Sequence, residues 1–371
     1  MLIVLSEVDH SDMLKSLCLK IMEFEEIKIL YLGNMPPLFI RESPSLARCT
    51  TTTGSSRLPW QISSLIYVSS FLLTHRKSHF AIYSSGRHAS FSSMTVGYFL
   101  KFSTRIFTRH HGSIHHLKAQ RFSTLIDIVT SFFATKVIAV SQCTRAILHE
   151  KERVPQHKIK LIHNGIDLSR FTNPKLIDSR KNRDSDRRKS QMFRIGVVSR
   201  TEDWKSVHQI AKAFRIFLRN TVNAELIIVG APGNAENLLA SELKDIPSDN
   251  YQRIPFINDI EAFFSEIDLF VHVPTGECVE AFGLVYLEAL ASGVPSIFSI
   301  NGILTELHFS DSRIALVPSS EEFKLERHIY EAYLKWRDGT QQRERDVEIT
   351  KFIGHFSIDR MVSQYLKLFY Q

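Results

Sequence analysis

Short apolar runs alternate with helical segments along most of this 371-residue chain. Such repeated strand–helix units favour parallel sheets that helices cover on both faces, because each crossover between parallel strands needs a helix. The sequence therefore predicts an α/β protein with two Rossmann-like, doubly wound domains. Strands are expected over 2–5, 28–32, 81–83, 104–108, 136–140, 158–162, 193–199, 224–229, 268–273 and 295–299, with helices over 206–219 and 283–292.

A polar, charge-dense segment at 169–192 interrupts this alternation and carries no apolar periodicity, which is typical of a linker. The chain is long enough for two ordinary domains, each with its own core. We therefore predict a first domain over 1–168, a second over 193–354, and a helical tail over 355–371.

Charge is distributed very unevenly along the chain. Residues 1–190 carry 28 Lys and Arg against 14 Asp and Glu, whereas residues 191–371 carry 18 against 25. Between Glu42 and Asp127 there are ten basic residues and no acidic one. This pattern predicts an anionic partner, such as a membrane surface or a lipid diphosphate. Nucleic acid is the weaker interpretation, because no zinc-finger spacing or RNP-like motif is present, so no nucleic-acid partner is expected.

The same basic interval contains apolar runs at 62–73 and 91–107, the second with Lys101 and Arg105 inside it. Basic and apolar residues together fit a surface that rests on a membrane, although a buried helix would also explain the apolar runs. No run of 18 uncharged apolar residues is found, so no spanning helix is expected. With no signal-like start and four scattered cysteines, we expect a cytoplasmic protein, peripheral on the inner membrane.

The chemistry concentrates in Glu280-Ala-Phe-Gly-Leu-Val-Tyr-Leu-Glu288, which is followed by a Gly293-Val-Pro295 exit. With a helix over 283–292, Glu280 lies on the preceding loop and Glu288 lies inside the helix. Both carboxylates can then face a ligand at the positive helix N-terminus, one holding ribose hydroxyls and the other sugar hydroxyls. An ordinary helix with an acidic first turn is the alternative for Glu residues alone, but the full string is much rarer.

This segment resembles the E-x7-E signature of retaining glycosyltransferases with the GT-B fold, specifically glycosyltransferase family 4. The resemblance implies two Rossmann-like domains facing a cleft, with the acceptor on the first domain and the nucleotide sugar on the second. It also implies that the last helix crosses back to the first domain. Glu288 would hold the ribose. Glu280, with the backbone of Phe282, Gly283 and Leu284, would hold the sugar.

Arg200 and Lys205 follow a predicted strand, where ligands of doubly wound sheets collect. Their spacing matches the family's diphosphate-binding pair, and two fixed cations would neutralise the charge that grows as the sugar bond breaks. A helix-start salt bridge to Glu202 or Asp203 is the alternative. The second domain shows no carboxylate cluster for Mg²⁺, so we expect no metal and no cofactor.

Further positions resemble family sites more weakly. Gly230 resembles the glycine below the base, although a strand-exit turn explains it equally well. Gly302 and Glu306 resemble a second phosphate-facing loop, where the family usually has Gly-Gly and this chain has Asn301-Gly302.

In the first domain, the family places a His near the donor sugar. We expect His111 there, with His110 as the alternative. Ser141 and residues 164–167 fit positions at the interdomain floor, where plain turn chemistry is an equal explanation. The glycine-rich loop of many relatives is missing at 5–11, so the acceptor site cannot be read from the resemblance.

Taken together, the residues and the resemblance predict a metal-independent, retaining hexosyltransferase. Its donor would be a UDP- or GDP-sugar, and its acceptor a glycan or lipid-linked molecule of cell-surface polysaccharide or lipopolysaccharide synthesis. The oligomeric state stays open. A nucleotide-sugar 2-epimerase, a glycan phosphorylase and a catalytically silent membrane-bound scaffold are the competing interpretations.

Overall fold

A computed structural model of the chain describes residues 1–5, 12–53, 60–77, 81–112, 121–171, 192–221, 223–276, 278–306, 312–318, 325–340 and 347–370. By its internal contacts the chain forms two compact units. Unit 1 contains Met1–Ile166 and Phe356–Gln371, and unit 2 contains Asp167–His355.

Unit 1 is built on a parallel sheet of seven strands in the order β3-β2-β1-β4-β5-β6-β7. The central strands are buried from end to end, as parallel strands with helices on both faces must be. The strands are β1 Leu2–Leu5, β2 Lys28–Tyr31, β3 Thr50–Thr52, β4 Ala81–Ser85, β5 Thr104–Arg109, β6 Lys136–Ala139 and β7 Ile159–Leu161.

In the described part of unit 1, the helices that precede unit 2 in the sequence cover the two faces of this sheet. They are α1 Asp12–Met22, α2 Leu38–Arg41, α3 Pro44–Arg48, α4 Trp60–His75, α5 Arg87–Phe99, α6 Arg121–Phe133 and α7 Gln142–Ala146. Helix α1 contributes Leu14, Leu17 and Ile21 to the core on one face. Helix α4 contributes Val68 and Leu72 to the core on the opposite face.

Unit 2 repeats the design with a parallel sheet of six strands in the order β10-β9-β8-β11-β12-β13. The strands are β8 Phe193–Val198, β9 Ala224–Val229, β10 Tyr251–Ile254, β11 Leu269–His272, β12 Ser296–Ser299 and β13 Ile314–Val317. Its helices are α8 Val207–Leu218, α9 Glu236–Leu243, α10 Ile260–Glu266, α11 Leu284–Ser292, α12 Leu325–Arg337 and α13 Val347–Gly354.

The last helix, α14 Ile358–Phe369, belongs to unit 1 although it follows unit 2 in sequence. Its Tyr365 is fully buried, and the Tyr365 hydroxyl lies 2.8 Å from the Thr108 hydroxyl at the end of β5. The amphipathic pattern of the tail explains this docking, because Met361, Tyr365 and Leu368 lie on one helical stripe and join the unit 1 core.

The α/β class with two parallel, doubly wound sheets is confirmed. Apolar runs located the buried strands to within two residues. They missed β3 and β10, because these edge strands carry mostly polar, exposed residues (Thr50–Thr52, and Gln252 and Arg253 in β10). They also missed β13, which forms the other edge of its sheet. Most of the predicted linker, 172–191, and the loop at 6–11 lie outside the described residues.

Candidate active site

The residues expected to bind the donor collect at the carboxyl ends of the unit 2 strands. In this sheet the order reverses between β8 and β11, which is where open α/β sheets bind ligands. Lys205 lies on the loop after β8, and Glu280 lies on the loop after β11. Nζ of Lys205 donates a hydrogen bond to Oε2 of Glu280, so the fold brings together two residues 75 positions apart.

Glu280 is a nearly buried carboxylate, with a side chain that is 12% exposed. Its Oε2 also lies 3.4 Å from Nε2 of His272, the last residue of β11. Burial by itself would raise the pKa of Glu280, but the positive charge of Lys205 and the hydrogen bond with His272 outweigh it and lower that pKa to about 2. Burial lowers the pKa of His272, and the nearby Lys205 lowers it further. Glu280 is therefore ionised at every physiological pH.

Asn301, which follows β12 and is fully buried, fixes the loop that carries Glu280. Its Oδ1 accepts hydrogen bonds from the backbone N–H of Glu280 (3.1 Å) and of Gly302 (3.2 Å). Its Nδ2 donates to the carbonyl of Gly276 at 2.6 Å. One amide side chain thus connects three backbone positions. These hydrogen bonds give Asn301 a structural role in the Asn301-Gly302 pair.

The Lys205 segment is fastened to the loop after β11 by separate contacts. Residues Asp203–Lys205 form one 3-10 turn, and the Trp204 carbonyl accepts a 2.8 Å hydrogen bond from the N–H of Thr275. The hydroxyls of Ser206 and Thr275 lie 2.5 Å apart. The ammonium of Lys205 also lies 4.4 Å from the centroid of the Trp204 ring. These contacts restrict Lys205 to the position beside Glu280.

Arg200 differs from Lys205 in its surroundings. Its side chain is 66% exposed, and its guanidinium lies 3.6 Å from the Glu202 carboxylate. The salt bridge weighed as the alternative is therefore present for Arg200. An exposed pair of this kind is worth little and leaves the guanidinium able to turn to another anion. The diphosphate role of Arg200 stays a prediction.

Helix α11 begins at Leu284, one residue later than predicted, and Gly283 is its N-cap with φ of +79°. Phe282 is buried, and its carbonyl accepts a 2.9 Å hydrogen bond from the N–H of Ile303. Glu288 lies half-buried in the second turn of the helix. The segment therefore has the loop-to-helix geometry expected for it.

Two glycines lie where a side chain would collide with backbone. A Cβ on Gly230 would come within 1.9 Å of the Ser199 carbonyl oxygen, and one on Gly302 within 2.5 Å of the Phe282 oxygen. Both positions thus bring neighbouring loops into close contact. Glu306 ends the 3-10 helix Gly302–Glu306 and is half-buried. Their contacts with a ligand stay predictions.

In unit 1, the two histidines after β5 have different partners. His111 Nε2 lies 3.3 Å from Oδ2 of the buried Asp127, whereas His110 Nε2 lies 3.0 Å from the Ser85 hydroxyl. The Ser141 hydroxyl accepts a hydrogen bond from the N–H of Thr144 and caps α7. Among residues 164–167, a side-chain oxygen of Asp167 accepts a 3.0 Å hydrogen bond from the Ser169 N–H, which is turn chemistry at that position. A ligand contact of this segment stays a prediction.

A buried ionic cluster, which sequence reasoning missed, lies beside His111. The Arg109 side chain is 1% exposed, donates to the Glu152 carboxylate and lies 3.0 Å from that of Asp127. Burial, helped by the negative charge of Asp127, raises the pKa of Glu152 to about 7 against the opposing charge of Arg109. The Arg109 guanidinium contacts the carboxylates of both Glu152 and Asp127, so it offsets the burial of Glu152 only in part.

His272 and Asn301 were also missed from the sequence. A signal existed for His272, because a polar residue at the carboxyl end of an apolar strand faces the ligand edge of the sheet. Asn301 offered no comparable signal, because its role depends on loops that only the fold brings together. Among the described residues, no group of three His, Cys, Asp or Glu side chains is arranged to hold a metal ion.

Two family models match the chain. "Glycosyltransferase Family 4" matches residues 53–170, and "Glycosyl transferases group 1" matches residues 178–345. The fold agrees with these matches, because each of the two units is a doubly wound domain with a parallel sheet. The chain belongs to glycosyltransferase family 4, the group 1 glycosyltransferases with the GT-B fold.

A curated relative is the capsular polysaccharide biosynthesis glycosyltransferase CapM of Staphylococcus aureus, 24% identical over 233 residues. That alignment covers 61% of this chain and 60% of the length of CapM. Among solved structures, Anabaena HepE in complex with UDP-glucose is similar over 100% of this chain and 99% of its own, with a TM-score of 0.77 and 18% identity. WaaG, a glycosyltransferase involved in lipopolysaccharide biosynthesis, covers 91% of this chain and 92% of its own, with a TM-score of 0.64 and 13% identity.

Proposed function

We propose that this chain is a retaining, metal-independent glycosyltransferase that moves a sugar from a UDP- or GDP-sugar to a hydroxyl group of a glycan or lipid-linked acceptor. The reaction would belong to the synthesis of a cell-surface polysaccharide or lipopolysaccharide. The observation that carries the proposal is the Lys205–Glu280 ion pair at the switch point of unit 2. Family membership supports the reaction class, and the similarity to CapM supports the polysaccharide context.

The ion pair supplies both charges that a nucleotide sugar requires. When the donor binds, the Lys205 ammonium would leave Glu280 and form an ion pair with the diphosphate. The carboxylate of Glu280 would then accept hydrogen bonds from the sugar hydroxyls. Arg200 would supply a second cation as the leaving diphosphate gains charge. Glu288 would accept from the ribose hydroxyls, and the backbone at 282–284 would hold the sugar. The binding site for the base and the phosphates would be lined by Gly230, Gly302 and Glu306.

In the reaction itself, the acceptor oxygen would form its bond to the anomeric carbon on the face from which the diphosphate leaves. The bond between that carbon and the phosphate oxygen breaks, and its electron pair stays on the diphosphate. A phosphate oxygen takes the proton of the acceptor hydroxyl. Beside Lys205 the pKa of Glu280 is about 2, which supports a role for this carboxylate as an ionised hydrogen-bond acceptor in the chain that the donor meets.

The setting of the reaction is inferred from charge and apolar surface. The basic interval between Glu42 and Asp127 favours work at the cytoplasmic face of an anionic membrane, where lipid-linked acceptors are presented. No helix in the described part of the chain is long and apolar enough to cross a bilayer. The contact that the resemblance gives to His111, with sugar hydroxyls, stays a prediction.

Thermal-shift titration with UDP, GDP and their sugars, in buffer with EDTA, tests the donor site. A true ligand raises Tm with the logarithm of its concentration above Kd. Glu288→Ala should weaken binding by about 1.5–3 kcal/mol, because ribose hydroxyls lose a charged acceptor. Glu331→Ala, an exposed helical glutamate of unit 2, is the matched control. A wild-type chain that no nucleotide stabilises, or one that binds only when Mg²⁺ is added, would refute the proposal. The structure of HepE with UDP-glucose makes that donor the first to test.

The competing functions differ in what they consume. A 2-epimerase turns over the donor with no acceptor, a phosphorylase requires free phosphate, and a silent scaffold turns over nothing. Donor consumption measured with and without a glycan acceptor, and with and without phosphate, separates them. The proposal requires consumption that increases with the acceptor and ignores phosphate.

A further inference from the structure

Helix α4 is apolar on both of its sides. Its inner side contributes the buried Val68 and Leu72 to the unit 1 core. Its outer side presents Ile62, Ile66 and Leu73, all of which are more than half exposed. The helix contains no Asp, Glu, Lys or Arg at all. The exposed polar residues of this helix include Ser70 and Thr74, whose hydroxyls are uncharged. The helix therefore lacks the charged face that a surface helix typically presents to water.

Helices α5 and α6 extend this apolar surface. On α6, Phe122 and Phe132 are 73% and 68% exposed and lie on one helical stripe with Leu125. At the end of α5, Tyr98 and Phe99 are also exposed, Phe99 by 68%. We call the outer surface of α4, α5 and α6 the α4–α6 face.

The three helices of the α4–α6 face are neighbours, and the aromatic rings at the ends of α5 and α6 form one cluster. Helix α4 packs on α5, and α5 packs on α6. At the helix ends, the Phe133 ring lies 5.0 Å from Tyr98, 5.9 Å from Phe99 and 5.2 Å from Phe132, measured between ring centroids. Contiguous apolar surface on a protein of this kind marks a contact site rather than incidental exposure.

Two basic side chains lie beside the aromatic rings of this face. The Arg105 guanidinium lies 5.5 Å from the centroid of Tyr98, and the Lys158 ammonium 5.9 Å from that of Phe132. Both also donate to helix-end carbonyls, which explains their positions in part. Arg76, Lys77 and Lys101 are exposed and pair with no carboxylate among the described residues. These three cations have no such structural explanation.

We infer that the α4–α6 face binds the surface of an anionic membrane, with its aromatic and aliphatic side chains at the acyl boundary and its cations at the lipid phosphates. Amphipathic aromatic side chains are favoured at that depth, and each nearby Lys or Arg adds attraction to anionic lipid. The inference rests on the proposed function, because it names the surface on which that enzyme works.

A second copy of the chain is a poorer occupant. Two copies joined through this face would bring like charges together, because residues 43–126 supply only cations to it. The acidic residue on these helices, Asp127 of α6, is buried and forms an ion pair with Arg109. Charge complementarity therefore selects an anionic surface.

Co-sedimentation with vesicles of phosphatidylcholine alone, or mixed with phosphatidylglycerol, tests the inference. The wild type should pellet with the anionic vesicles only, and part of this binding should survive 0.5 M salt, because inserted rings are not screened. Phe99→Ala, Phe122→Ala and Phe132→Ala should each weaken binding roughly tenfold. The matched control is Phe24→Ala, which removes an exposed ring that follows α1, on the opposite face of the sheet.

Charge reversal at Arg76, Lys77 and Lys101 should weaken binding mainly at low salt. Equal pelleting of the Phe variants and the wild type, or a stable dimer that the Phe variants dissociate, would overturn the inference. Thermal shift by the nucleotide, measured on the same variants, should not change. A chain that binds vesicles but no nucleotide would instead refute the proposed function, and would still support membrane binding by the α4–α6 face.

Discussion

At the scale of single residues, the position of Glu280 is set by polar groups from three strand ends. Lys205 follows β8, His272 ends β11, and Asn301 follows β12. Each contributes a hydrogen bond, and together they hold the carboxylate and its backbone before any ligand arrives. The contacts of His272 and Asn301 can persist when a donor binds, so they lower the conformational entropy that Glu280 must lose on binding.

Glu152 gives a prediction with a defined pH dependence. Its pKa is about 7 in the fold against an ordinary 4.5, so the folded chain holds this proton more tightly than the unfolded chain. The stabilisation is complete below about pH 4.5 and is lost as the pH rises through 7. Glu152→Gln stays neutral at every pH and can still accept from Arg109.

The Tm difference between Glu152→Gln and the wild type should therefore increase from pH 5 to pH 8.5, corresponding to a free-energy change on the order of 2–3 kcal/mol. Differential scanning fluorimetry at several pH values measures it. A difference that does not change with pH would mean that Glu152 is ionised throughout, held by Arg109.

At the scale of elements, the candidate site depends on loops that approach one another closely. The Gly302 backbone packs on the Phe282 carbonyl, so the loop after β12 supports the loop before α11. This contact explains why a 3-10 helix and an α-helix can present their first residues at the same edge of the sheet.

Gly302→Ala should lower stability by about 2 kcal/mol or more, because its Cβ would lie 2.5 Å from the Phe282 oxygen. Gly354→Ala is the matched control: it lies at the end of α13, and a Cβ there meets nothing within 4 Å. This control should be neutral or slightly stabilising, since Ala favours helix over Gly. Urea unfolding measures both. Equal midpoints for the two variants would show that the loops can separate without cost.

The elements also show what the sequence could predict. Buried parallel strands are mostly apolar, so β8, β9 and β11 were visible as runs although each contains one polar residue (Arg194, Glu225 and His272). The E-x7-E segment placed Glu280 before α11 and Glu288 within it, which the structure reproduces. The cluster of Arg109, Asp127 and Glu152 was not predictable, because its members come from three elements that only the fold brings together.

At the scale of the whole molecule, the two halves of the sequence carry opposite net charge. The first 190 residues have a net charge of +14 (28 − 14), and the remaining 181 have −7 (18 − 25). The sign of the net charge therefore differs between the part of the chain proposed to bind the membrane and the part proposed to bind the donor. In the proposed function, the basic part would present the α4–α6 face to anionic lipid. The acidic part would attract its anionic donor through the local cations Lys205 and Arg200 rather than through its net charge.

The central claim is that the Lys205–Glu280 pair separates to bind a nucleotide sugar. Isothermal titration in EDTA with the stabilising nucleoside diphosphate, and with its sugar, tests it on the wild type, Lys205→Met and Glu280→Gln. Lys205→Met should weaken both ligands by roughly tenfold or more, since a charged hydrogen bond is lost. Glu280→Gln should weaken only the nucleotide sugar, and should leave the diphosphate unchanged or tighter because Lys205 is released. Identical Kd values for all three proteins would contradict the account.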